Sequence, residues 1–149
     1  MCLEALCALP PGPALDAGCG SGLLAQAWAA LGRGPVLACD LDPRALDQAA
    51  RSLAAAGLGG RVTLRRAALG ALAPEDLAGA VLLANVPAAA HAELLGRGGE
   101  APAAALLSGL RSAEAGAVEA GWRARGLRPA GRAERGGFVC AVMAGPGGG

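Results

Sequence analysis

The residues of this 149-residue chain whose types and spacing could do chemistry fall into three groups. The first is Asp16 followed by glycines at every second position, Gly18, Gly20 and Gly22, with Cys19 inside the loop. Glycine tolerates positive φ and lets a ligand approach the backbone, so this alternation predicts a loop wrapped against a bound molecule. The second group is Asp40 with Leu41 and Asp42, about twenty residues beyond the loop, where a carboxylate can accept both hydroxyls of a ribose. The third is Asn85 in Asn85-Val86-Pro87-Ala88. Its carboxamide oxygen, with a neighbouring backbone carbonyl, can accept hydrogens from a polar ligand and orient it.

The spacing also says what the loop is not. A dinucleotide fingerprint, G-x-G-x-x-G, built on Gly18 and Gly20 would need glycine or alanine at position 23, which is Leu23. The pattern is D-x-G-x-G-x-G instead.

These residues need strand ends to converge. The run 14–16 predicts a first strand, and 23–31 a helix of high propensity whose N-terminal amides face the ligand. Residues 35–42 form a short apolar run ending in acids, as expected of a strand buried on both faces of a parallel sheet. Asp42 then caps a helix over 45–56 with Pro43 in its first turn. Further strands are expected at 61–65, 80–84 and 103–108. Helices are expected at 88–95, with His91 solvated or at the edge of the core, and at 113–125, with Ala117, Val118, Gly121 and Trp122 on one stripe. Residues 1–9 place Leu3, Leu6, Cys7 and Leu9 on helical spacing, and 74–77 suits one helical turn. A hairpin of 127–134 and 138–143 about Arg135-Gly136-Gly137 must be antiparallel. Strands alternating with helices imply an α/β fold, a three-layer doubly wound sheet that is mostly parallel, with an antiparallel C-terminal hairpin. The chain reads as one domain, 1–144, and a disordered tail, 145–149.

Composition narrows the partners. A net charge of +1 with interspersed signs gives no electrostatic case for direct nucleic-acid binding or an anionic membrane surface. No apolar run is long enough to span a bilayer, and the start lacks a basic leader, so a cytoplasmic protein is expected. The five cysteines show no C-x-x-C spacing, which argues for free thiols and no metal. All thirteen basic residues are arginine, and alanine and glycine dominate, a composition that reports coding bias.

The loop resembles motif I of the class I S-adenosylmethionine-dependent methyltransferases, in which the glycines pass the amino-acid part of a ligand without phosphates. More of the chain is similar to one family. Cys2 to Leu6, Leu15 to Leu24, Cys39 to Pro43, Leu83 to Val86, Leu106 to Leu110 and Trp122 to Leu127 together resemble the catalytic domain of the PrmA-type ribosomal protein methyltransferases. The resemblance implies sheet order 3-2-1-4-5-7-6 and S-adenosylmethionine as cofactor, with Asp16, Gly18, Cys19, Gly20, Gly22, Asp40, Leu41 and Asn85 in its site. It implies Asn85 as the catalytic group. The acceptor would be a protein amine, a lysine side chain or N-terminus of a large-subunit ribosomal protein. Family members carry a recognition domain ahead of the catalytic one, and this sequence is expected to be the catalytic domain without it. Alternatives are a class I methyltransferase for a small molecule or another protein, and an inactive remnant. One departure is plain. Where the family usually has an acid or amide after the third strand to meet the adenine amino group, this chain has Arg65-Arg66-Ala67-Ala68, so backbone and apolar groups are expected to hold adenine.

Overall fold

A computed structural model describes residues 1–147. In chain order the elements are α1 (Cys2–Leu6), β1 (Ala14–Ala17), α2 (Leu23–Ala30), β2 (Val36–Asp40), α3 (Pro43–Ala55) and β3 (Val62–Arg66). A 3-10 turn (Leu69–Ala71) and α4 (Pro74–Leu77) follow. The remainder is β4 (Val81–Asn85), α5 (Ala88–Leu95), β5 (Ala104–Arg111), α6 (Ser112–Ala124), β6 (Arg128–Arg135) and β7 (Phe138–Ala144). One seven-stranded sheet has the order β3-β2-β1-β4-β5-β7-β6, parallel from β3 to β5 and antiparallel at β5-β7 and β7-β6. This is the doubly wound, three-layer sheet expected from the sequence, in the implied order.

Alternation within strands explains the layers. In β4, Val81 and Leu83 face a cluster with Leu24, Ala25, Trp28 and Leu53 from α2 and α3. Leu82 and Ala84 face the other side, with Leu77, Leu94, Val118 and Trp122 from α4, α5 and α6. Side chains point to opposite faces along a strand, so a strand covered on both sides must be apolar at every position, as 81–84 is. Asp42 caps α3, its Oδ1 accepting from the Arg44 amide at 2.9 Å. Leucine and alanine thus do the work of a core almost without aromatic rings.

Some expectations need correction. The buried stripe of α6 is Ala115, Val118, Glu119 and Trp122; Ala117 is exposed, because the helix turns that position toward solvent. Cys7 and Leu3 of the N-terminal segment are also exposed, while Leu6 and Leu9 are buried. The fifth strand runs past Ser108 to Arg111 through a register shift between Leu107 and Leu110. Glycine at 109 permits this irregularity, with φ of +76°. Of the expected tail, the Gly145 amide donates to the Ala103 carbonyl at 2.9 Å. Gly148 and Gly149 lie outside the described residues.

Candidate active site

The carboxyl ends of β1, β2 and β4 meet where the strand order reverses, the place where open α/β sheets bind ligands. The loop after β1 is locked by the backbone of β2: the Gly18 and Cys19 amides both donate to the Cys39 carbonyl at 2.9 Å. Gly18, Gly20 and Gly22 all have positive φ, of 71°, 53° and 78°. They differ in what surrounds them. A Cβ on Gly18 would meet Val86 Cγ1 at 2.6 Å, and one on Gly22 would lie 3.0 Å from Ala49 Cβ. A Cβ on Gly20 would meet nothing within 4 Å. Gly18 therefore lets the loop close on the segment after β4, and Gly22 lets α2 approach α3. Gly20 alone faces open space.

Two cavities share Gly18. The larger, about 510 Å³, is lined by Asp16, Cys19, Gly20, Ser21 and Asn85 and edged by Met1, Cys2 and Leu3 of the N-terminal segment. The smaller, about 230 Å³, is lined by Asp40, Leu41, Ala67, Ala68, Leu69 and Glu93. The structure thus brings together Asp16, Gly18, Cys19, Gly20 and Asn85 on one cavity, and Gly18, Asp40 and Leu41 on the other. Gly22 lines neither.

The carboxylates are placed differently. Asp40 Oδ2 accepts from the Gly20 amide at 2.8 Å and Oδ1 from the Asp42 amide at 2.9 Å. Each carboxylate oxygen has further acceptor capacity, so Asp40 is aimed and still able to take two hydroxyls. Asp16 is buried, and its Oδ2 accepts from the Ala25 amide at 2.8 Å, in the first turn of α2. That internal carboxylate takes up an amide expected from the sequence to face the ligand. Burial pushes the Asp16 carboxyl up to about 7, against the Ala25 hydrogen bond, with Asp40 adding like-charge repulsion. Burial likewise raises the Cys19 thiol to about 12, so it is an inert packing group.

Asn85 ends β4, is exposed, and pairs in register with Ser108 of β5. The segment behind it is held by backbone. The Val86 amide donates to the Ser108 carbonyl at 3.1 Å, and a Cβ on Gly109 would fall 2.7 to 2.9 Å from Val86 N, C and O. His91, expected at the surface or core edge, is fully buried, with Nε2 3.3 Å from the same Ser108 carbonyl. Burial lowers its pKa, and among the described residues its Nδ1 has no hydrogen-bond partner. The Ser108–Gly109 bulge is a positioning feature that sequence reasoning missed, as it missed Glu93, Leu69 and the Met1–Leu3 edge. Only the lone glycine after a strand signalled it.

The donor set fits an elongated ligand with a polar amino-acid end, a ribose and a flat apolar base. One amide of the α2 first turn, that of Ala25, is already taken by Asp16, which weakens this helix end as a phosphate site. Such a fold and site define a class I S-adenosylmethionine-dependent methyltransferase architecture. A family model described as a methyltransferase domain matches residues 14–95. A ribosomal protein L11 methyltransferase of Pelotomaculum thermopropionicum is 38% identical over 133 residues, covering 87% of this chain and 42% of that protein. Another of the same description, from Syntrophotalea carbinolica, is 58% identical over 50 residues, 30% of this chain and 16% of that protein. The crystal structure of a ribosomal protein L11 methylase from Lactobacillus delbrueckii subsp. bulgaricus superimposes with a TM-score of 0.79 at 19% identity, covering 96% of this chain and 74% of that one. The chain belongs to the methyltransferase domain family, and it spans less than half the length of these two curated relatives.

Proposed function

We propose that this chain is a catalytic domain that transfers a methyl group from S-adenosylmethionine to a protein amine, the acceptor being a large-subunit ribosomal protein met in the cytoplasm. One observation carries the reading: Asn85 shares the 510 Å³ cavity with Gly18 and Gly20, so an amine acceptor and a cofactor loop face the same space. The names of the two curated relatives support the choice of acceptor. Among the described residues no helix is long and apolar enough to cross a membrane, and no group of three or more His, Cys, Asp or Glu is placed to hold a metal.

The geometry supports the following roles. The cofactor supplies an electrophilic methyl on a sulfonium. Gly18 and Gly20 offer backbone without side chains to its amino-acid end. Asp40, fixed by the Gly20 and Asp42 amides, would accept from the ribose hydroxyls, and Leu41 would supply an apolar contact for the base. Asn85 accepts the hydrogens of a neutral amine and holds its lone pair toward the methyl, supplying orientation and no strong base. An amine leaving water for this cleft loses its proton more readily, because desolvation disfavours the charged form.

Titration calorimetry tests the cofactor half. The wild-type chain should bind S-adenosylmethionine, and Asp40→Ala should lose about ten- to hundredfold in affinity by giving up charge-assisted bonds to the hydroxyls. No binding by the wild type, or no effect of the change, sinks the reading. Incubation with labelled cofactor and ribosomal protein tests the acceptor. Label on a protein amine, lost in Asn85→Ala even with cofactor at saturating concentration, is the expected result; label only on small amines points to a small-molecule enzyme.

A further inference from the structure

The end of β3 carries no acid or amide for an adenine amino group, and the two arginines there do not substitute. Arg65 pairs with Asp76 at 2.8 Å, and Arg66 Nε donates to the Leu41 carbonyl at 3.2 Å. Neither lines the 230 Å³ cavity, whose β3 side is Ala67 and Ala68. The polar side chains on that cavity are two carboxylates, Asp40 and Glu93. Asp40 is tied by the Gly20 and Asp42 amides. Glu93 comes from α5, and its Oε2 accepts from the Gly70 amide at 3.2 Å, in the 3-10 turn that follows Ala67 and Ala68.

We propose that Glu93 reads the base of the cofactor, accepting from the exocyclic amino group of adenine in place of the missing residue at the end of β3. A carboxylate offers only acceptors, and the Gly70 bond engages Oε2, so Glu93 matches a donor on the ligand edge and opposes a carbonyl there. Adenine carries an amino group at that edge; hypoxanthine carries an oxygen. On this proposal a specific side chain on a different element would add to the backbone and apolar contacts expected from the sequence. This inference rests on the S-adenosylmethionine reading and sharpens it to base selectivity.

The test compares S-adenosylhomocysteine with S-inosylhomocysteine by titration calorimetry on the wild type, Glu93→Gln and Glu93→Ala. Glu93 is exposed, so both variants should keep the circular dichroism and melting temperature of the wild type. The wild type should prefer the adenosyl ligand. Part of that preference comes from the ring nitrogen and survives substitution; the part carried by Glu93 does not. In both variants the affinity ratio should narrow by about tenfold. In Glu93→Gln the inosyl ligand should also gain affinity, because a carboxamide NH₂ can donate to its oxygen. A ratio unchanged in both variants, with adenosyl binding intact, overturns the role of Glu93 alone. Failure of the wild type to bind either ligand overturns the cofactor reading and this inference together.

Discussion

The two sides of the cleft are held in place by different means. On the cofactor side, the Gly18–Gly22 loop is fixed by contacts with the neighbouring β2 and by two carboxylates, Asp16 and Asp40, that each accept backbone amides. On the acceptor side, Asn85 is carried by a segment with no side-chain cap of its own, seated on the backbone of a strand more than twenty residues further on. Ser108 O takes the Val86 amide, and Gly109 clears the way for the Val86 backbone. The cofactor side is held by carboxylate side chains as well as by backbone. The other depends on a bulge in a neighbouring strand, so the position of the Asn85 carboxamide is set by sheet register.

The largest effect should come from breaking the acceptor side. Gly109→Ala adds a Cβ that would sit within 3 Å of Val86 backbone atoms, at a residue with φ of +76°. Left-handed strain and a backbone clash together should cost about 3 to 5 kcal/mol. Urea unfolding should show a lower midpoint at unchanged slope. A cost below about 1 kcal/mol would mean that the segment behind Asn85 is not pinned by the bulge.

The next effect tests the buried carboxylate on the cofactor side. The Asp16 carboxyl is raised to about 7, whereas in the unfolded chain it titrates near 3.8. A raised carboxyl favours the folded state fully below the unfolded value, and that stability is lost as pH rises toward 7. Between about pH 4 and 7 the wild type should therefore lose on the order of 3 kcal/mol relative to Asp16→Asn, which keeps the acceptor for Ala25 without the charge. The difference between the two urea curves across this window is the measurement; parallel curves would show that Asp16 ionises freely in the fold.

The same contrast explains what the sequence showed. The loop, Asp40 and the Asp42 cap are local or about twenty residues apart, and their residue types are dictated by backbone geometry, so they were readable. The sheet order was readable only through family resemblance, because β1–β4 pairing joins segments that no local pattern links. Gly109, His91 and Glu93 were not readable. Gly109 is needed because of Val86, His91 is buried beside the Ser108 carbonyl of β5, and Glu93 lines the cavity from α5. Each is set by packing in the fold and leaves no pattern of residue types in the sequence. Ala117 was misjudged for a related reason: a helical stripe one position out of phase looks equally apolar in so alanine-rich a segment.

The smallest effect on stability should come with a large one on binding. Gly20→Ala introduces a methyl with nothing within 4 Å, at φ of +53°, so only the left-handed backbone opposes it. That strain costs about 1 to 2 kcal/mol, less than the clash at Gly109. Gly20 lines the 510 Å³ cavity, so added bulk there is expected to encroach on the proposed cofactor space. The Gly20 amide also orients Asp40 at 2.8 Å, and any tilt of the loop is passed to the ribose acceptor. Calorimetry with S-adenosylhomocysteine should show affinity falling at least about tenfold, more than the stability change would produce if both reflected general loosening. A Gly20→Ala protein that binds like the wild type would place the ligand away from the loop and make the two sides of the cleft equivalent structural devices.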